Sequence, residues 1–270
     1  MTASRLPVSA YIICCDEVGY LGACIESLAD CAQIVIVDSG SGDGTLALIG
    51  DYIGKGYPIR LFERAWPGYA AQKQFALDQC SQPWCLSLDA DERLDDTLRQ
   101  ELGRLIAAPA GIDAWRLDFR LSLYGYGYVP ERVRYGAAVR LTRRGFAAYA
   151  TDALVHESLT VEGETRTAPR GKILHARALP LEEQIVKEKT YAGLKAEQLL
   201  RKGRSPRFFR LVFNPPLYFL KLYVAKRFFL CGWPGFIHAA TGAAYAFMTE
   251  AMLYQKHRAA KRPDDPDPMI

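Results

Sequence analysis

The chain has 270 residues, half of them hydrophobic, which is enough to bury one substantial core or one core with a smaller appendage. A formal charge of +4 is too weak to argue for nucleic acid, and no nucleic-acid partner is expected. The seven cysteines include no Cys-x-x-Cys pair and fall mostly among apolar residues, so they read as reduced, buried thiols. Asp16 and Glu17 follow the first apolar stretch at once, with no small-residue cleavage pattern, and a cytoplasmic location is expected.

Strand-length apolar runs at residues 8–15, 33–37, 58–62 and 84–88 alternate with helical patterns at 19–29, 45–53, 69–80 and 95–106. That alternation predicts an α/β fold, with parallel strands covered by helices on both faces. Asp95 or Asp96 caps the fourth helix. From 113 to 178 the pattern turns β-rich and includes the run Tyr124-Gly125-Tyr126-Gly127-Tyr128, as expected of strands and loops that close over a site.

An amphipathic helix is expected over 180–200, followed by the basic segment 201–210. Residues 227–250 hold a charge-free stretch of about twenty residues, the length that raises the question of a membrane span. Gly232, Pro234, Gly235 and Gly242 interrupt it, and Pro215-Pro216 is expected to break the aromatic segment before it. Lys221, Lys226 and Arg227 among Tyr218, Phe219, Tyr223, Phe228 and Phe229 predict helices lying on an anionic membrane surface. A helical cap packed on the core is the alternative. The polar end, 262–270, reads as disordered. The chain thus divides into 1–178, with halves 1–110 and 111–178, a helical region 179–261, and the tail.

Open α/β sheets bind ligands at the carboxyl ends of their strands. Three polar segments end apolar runs there: Asp16-Glu17, Asp38 to Thr45, and Asp89-Ala90-Asp91-Glu92. Asp38 could accept from the edge of a uracil-like base, while Asp43 or Thr45 could cap the next helix. Asp89 and Asp91, one small residue apart, force two carboxylates together, an arrangement suited to Mg2+ or Mn2+ shared with substrate phosphates. Asp91 is expected as the direct ligand. Asp89 faces the ribose or a metal-bound water, and Glu92 supports them from behind.

These segments, in this order and approximate spacing, resemble the inverting glycosyltransferases of family 2, which have the GT-A fold, a Rossmann-like mixed sheet. The run Trp66-Pro67-Gly68-Tyr69-Ala70-Ala71-Gln72-Lys73-Gln74-Phe75-Ala76-Leu77 and the later Val155-His156-Glu157 look like the lipopolysaccharide core β-1,4-glucosyltransferase branch. The resemblance covers residues 8 to 178 and implies a UDP-sugar donor. Under it Asp38 contacts the nucleobase, Asp89 and Asp91 form the metal motif, and the helix start at Gln72-Lys73 lies near the diphosphate, where a helix N-terminus and a lysine favour phosphate. Lys73-Gln74 stands where the family commonly has Arg-Asn. The Glu-Asp pair that often carries the base is missing, and His156-Glu157 occupies its region. Glu157 is the expected base, with His156 orienting it or serving as the base, and Asp152 in reserve.

The expected activity is metal-dependent transfer of a hexose, glucose under the resemblance, to a lipopolysaccharide-core or other lipid-linked acceptor at the inner face of the cytoplasmic membrane. A polyprenyl-phosphate glycosyltransferase and a silent sugar-nucleotide-binding scaffold are the competing readings. His175, His238 and His257 lack metal-ligand spacing and read as packing or surface residues.

Overall fold

The computed structural model describes residues 5–107, 111–150 and 159–261. In chain order the first elements are β1 (Leu6–Cys14), α1 (Leu21–Ser27), β2 (Cys31–Asp38), α2 (Thr45–Gly54), β3 (Ile59–Glu63), α3 (Tyr69–Asp78), β4 (Trp84–Ser87), β5 (Glu92–Leu94) and α4 (Asp96–Ile106). The strands β6 (Ala114–Leu123), β7 (Gly127–Tyr128), β8 (Ala137–Arg143), β9 (Ala147–Tyr149), β10 (Leu159–Val161) and β11 (Thr165–His175) follow. The chain ends with α5 (Leu181–Arg201), α6 (Phe208–Leu220), a π turn over Lys221–Ala225, a 3-10 turn over Phe228–Cys231, and α7 (Gly232–Lys261).

Two compact units divide the described chain, one drawn from residues up to 122 with 135–150 and 159–177, the other from 123–134 and 178–261. The Tyr-Gly-Tyr-Gly-Tyr run therefore clusters with the C-terminal helices.

The first unit is a mixed sheet in the order β3-β2-β1-β4-β8-β6-β11-β5. Strands β3, β2, β1 and β4 are parallel, and β8 enters antiparallel beside β4. The near-continuous apolar runs of β1 and β2 follow from burial on both faces. Val8, Ala10, Ile12, Ile34 and Ile36 pack on one side with residues of α1, α2 and α4. Tyr11, Val35 and Val37 pack on the other with Ala76 and Leu77 of α3. Parallel register sets Cys14 beside Asp38 and Tyr11 beside Ser87, so the carboxyl ends of three strands share one rim.

After β4 the chain passes Asp89-Ala90-Asp91 and rejoins the sheet as β5, whose Glu92 pairs with His175 of β11. Asp95 caps α4, its carboxylate accepting from Leu98 N–H at 2.7 Å.

In the second unit α7 packs against both α5 and α6. The expected break at Pro215-Pro216 is absent: both prolines lie inside α6. Each removes a backbone donor, yet packing and a side-chain bond hold the helix in place. Gly242 of α7 leaves room for Tyr218 and Leu222, whose atoms lie 3.1 and 2.5 Å from where a Cβ would stand. Asn214 Nδ2 donates to Glu250 at 3.1 Å. Pro234 falls in the first turn of α7, where a missing N–H costs nothing. Among the described residues no helix is long and apolar enough to cross a membrane.

Gly171 in β11 has φ +80°, and a Cβ there would stand 2.5 Å from the Leu98 backbone. Gly171→Ala should lower stability by about 2 kcal/mol or more, read as a shift in the urea unfolding midpoint.

Candidate active site

The rim is assembled first by backbone hydrogen bonds. Asp16 takes a left-handed conformation, φ 56°, its N–H donating to Ser41 Oγ at 2.9 Å and its Oδ1 accepting from Gly42 N–H at 2.7 Å. Glu17 N–H donates to Thr45 Oγ1 at 2.8 Å, and Asp43 accepts from Val18 N–H at 3.1 Å and from both donors of Thr45. The loop after β1 and the loop after β2 are thereby locked together.

Asp38 is fully buried. Its carboxylate accepts from the N–H groups of Gly40 and Ser41, each at 2.9 Å, and from Ser41 Oγ. Burial pushes this carboxyl up, but the bonds from Ser41 and Gly40 outweigh it and hold the pKa below the ordinary value. The side chain expected at the nucleobase thus braces its own loop.

The metal-motif carboxylates divide between two ion clusters. Asp89 Oδ1 lies 2.8 Å from Lys73 Nζ, and its Oδ2 3.3 Å from Arg140 Nη2. Arg140 also bonds Glu92 at 2.7 Å, and Glu92 accepts from Asp89 N–H at 2.9 Å. Burial acts upward on Asp89, and Lys73 and Arg140 together bring its pKa well below the carboxylate range. Glu92 is nearly inaccessible; burial, opposed by Arg140 and reinforced by Asp89, carries it up to about 7.

In the second cluster Arg177 Nε donates to Asp91 Oδ2 at 2.9 Å, and its Nη2 bonds Glu17. The same guanidinium lies 4.7 Å from the Tyr20 ring centroid, a cation–π contact. His175 Nε2 is 3.7 Å from Asp91 Oδ2, and its Nδ1 is buried with no partner.

Helix α3 starts after Gly68 (φ 108°) and carries Lys73 to Asp89, so the lysine is buried and paired. Its neighbour Gln72 ties the helix to the rim: Nε2 donates to Ser39 Oγ at 3.0 Å, and Oε1 accepts from Arg64 at 2.9 Å. Gln74 Oε1 accepts from Tyr149 N–H at 2.8 Å. His156, Glu157 and Asp152 lie outside the described residues.

Sequence reasoning singled out Asp16, Glu17, Asp38, Lys73, Asp89 and Asp91, all on this rim. It missed Arg140 and Arg177 and set His175 aside. The available signals were arginines placed within or just past apolar strands, Val139-Arg140-Leu141 and His175-Ala176-Arg177. Among the described residues no three His, Cys, Asp or Glu side chains converge as a ready-made metal site.

A parallel sheet that turns antiparallel at β8, with an Asp-x-Asp at the end of β4, defines a GT-A glycosyltransferase. The chain belongs to glycosyltransferase family 2: the family model described as "Glycosyl transferase family 2" matches residues 9–149. It is 53% identical over 263 residues to "Lipopolysaccharide core biosynthesis glycosyltransferase LpsC" of Rhizobium meliloti (strain 1021), covering 97% of each protein. Among solved structures it resembles a mannosyltransferase, PcManGT of Pyrobaculum calidifontis, in complex with GDP-Man and Mn2+, with TM-score 0.53 and 17% identity over 98% of this chain and 78% of that one. It also resembles S. aureus TarS 1-349, with TM-score 0.50 and 14% identity over 97% and 93% of the two chains. At these identities the two structures speak to the fold alone.

Because the Glu92 pKa is raised in the folded state, its contribution to stability is full below the unfolded value and is lost as pH rises toward about 7. The stability of the wild type relative to Glu92→Gln should therefore fall between about pH 4.5 and 7, measured by urea unfolding across that window.

Proposed function

We propose that this glycosyltransferase transfers a hexose from a UDP-sugar to a lipopolysaccharide-core or related lipid-linked acceptor, with inversion and with a divalent cation. The observation that carries the reading is the pairing of Lys73 with Asp89, one residue from Asp91, at the carboxyl end of β4. The name of the 53% identical Rhizobium meliloti relative supports the acceptor class.

The site's charge fits a hard cation. Glu17, Asp89, Asp91 and Glu92 oppose Lys73, Arg140 and Arg177, so four carboxylates face three fixed cations with oxygen donors of the kind Mg2+ and Mn2+ prefer. Asp91 would hold the ion directly, with Asp89 beside it. A bound ion would supply charge to offset the departing diphosphate.

The chain's own residues do the rest. Asp16 and Glu17 shape the donor rim, and Asp38 fixes the loop at its nucleobase end. Lys73 offers its ammonium to the diphosphate in exchange for part of its bond to Asp89. Arg140 keeps Asp89 and Glu92 in place through that exchange. Glu157, oriented by His156, takes the proton of the attacking hydroxyl. The acceptor oxygen then bonds the anomeric carbon as the bond to the diphosphate breaks. The basic, aromatic C-terminal unit would hold the enzyme on the cytoplasmic face of an anionic membrane, where such acceptors reside.

Donor hydrolysis without acceptor, run over a panel of sugar nucleotides with Mn2+, Mg2+ or chelator, tests the class and names the donor. UDP release from one sugar should need the metal and fall about 10²–10³-fold in Asp91→Ala. Tight, metal-independent binding with no turnover would overturn the reading. In the acceptor assay Glu157→Gln should abolish transfer while donor binding persists; undiminished transfer would point to a lipid-phosphate acceptor, which needs no base.

A further inference from the structure

The C-terminal unit holds an open cleft of about 300 Å3 lined by α5, α6 and α7. Three cations reach it: Lys195 from α5, Arg204 from the connection to α6, and Lys221 from the end of α6. One carboxylate lines the cleft with them, Glu250 of α7, and its buried Oε2 has no partner among the described residues. Its Oε1 accepts from Arg204 Nη2 at 2.8 Å and from Asn214 Nδ2 at 3.1 Å. That pair fixes the Arg204 guanidinium on a carboxylate only 5% exposed. Lys195 bonds only the neutral Gln198, at 2.9 Å, and Lys221 lies 5.5 Å from the Tyr218 ring centroid. Neither lysine forms an ion pair among the described residues. Glu250 offsets Arg204, which leaves Lys195 and Lys221 as two like charges beside the cleft that an anion would bring together.

The mouth of the cleft indicates where that anion comes from. Leu217 lines the cleft and is 60% exposed. Phe213, Leu220 and Val224, at helical spacing on either side of it, are 58%, 52% and 55% exposed. They form one apolar stripe that runs past the opening. A free phosphate would have no use for the stripe. An amphiphile would use both, with its polar group among the cations and its chains along α6. The volume is at the small end for a ligand site and admits a headgroup but not a whole lipid.

We propose that this cleft binds the phosphate headgroup of an anionic membrane lipid. The site gives the membrane contact a defined stoichiometry and rests on the membrane-surface reading for the origin of the phosphate. Arg204, held by Glu250, presents its remaining N–H donors, and Lys195 and Lys221 close on the phosphate from two sides.

The test uses the full chain. Flotation is measured with vesicles of phosphatidylcholine alone and with added phosphatidylglycerol, and calorimetric titration with glycerophosphoglycerol and with inorganic phosphate. The cleft double variant Lys195→Gln/Lys221→Gln is compared with Lys202→Gln/Arg207→Gln, which removes the same charge from exposed positions outside the cleft. Unchanged thermal midpoints establish that both are folded.

The cleft variant should lose about tenfold more affinity for phosphatidylglycerol vesicles than the matched control. It alone should lose binding of the soluble headgroup. Equal losses in the two variants would overturn the headgroup site and leave a diffuse membrane attraction standing. Cleft-dependent binding of inorganic phosphate without vesicle binding would overturn the lipid source. Silence toward every probe would overturn both the site and the membrane reading.

Discussion

The arrangement of the candidate-site rim depends on one ion network, in which Arg140 bridges Asp89 and Glu92 while Lys73 holds the other side of Asp89. Its members come from α3, the turn after β4, β5 and β8. The network therefore joins the parallel half of the sheet to the strand that first runs against it. Apolar burial drives the sheet together, but it does not choose where four charged side chains point. Arg140 and Glu92, with side chains 13% and 2% exposed, can stay there only as partners.

The same constraint explains why two aspartates separated only by the buried Ala90 behave differently. Asp89 turns toward two cations from α3 and β8. Asp91 turns toward Arg177 at the end of β11, whose guanidinium also reaches Glu17 and the Tyr20 ring. The backbone reinforces the split: Ala176 N–H donates to Asp91 O at 2.9 Å, anchoring β11 to the motif. One short motif thus touches both ends of the rim, the loop after β1 through Glu17 and the helix start of α3 through Lys73.

What the sequence made legible was what local pattern controls. Unbroken apolar runs such as Ile34–Val37 follow from burial on two faces, and an Asp followed by an apolar helix reads directly as a cap. The partners of the motif were hidden because they lie far away in the chain: Arg140 is 51 residues from Asp89 and Arg177 is 86 from Asp91. A lone arginine between Val139 and Leu141 looks like any strand residue until the facing carboxylates are known. The prolines of α6 failed for the opposite reason. The local rule that Pro breaks helices is sound, but it omits Gly242, which lets α6 press close to α7. Asp38 was legible as special, and its strand-end position was right. Its bonds to Gly40 and Ser41 depend on a turn conformation that residue identity alone does not specify.

Charge balance joins these pieces into a functional argument. With Glu92 ionised the two clusters carry one more carboxylate than cation; with Glu92 protonated they are even. A nucleoside diphosphate arriving alone would place further negative charge beside carboxylates whose cationic partners are already engaged, and a divalent ion arriving alone would compete with Lys73 and Arg177 for their carboxylates. Arriving together they nearly cancel. Lys73 and Arg177 would then be available to phosphate, with Asp89 and Asp91 as the residues that would hold the ion. Under the proposed reaction the fixed cations are therefore the resting partners of the motif as well as ligands for the donor. Arg140, tied to buried Glu92, is the one least free to move.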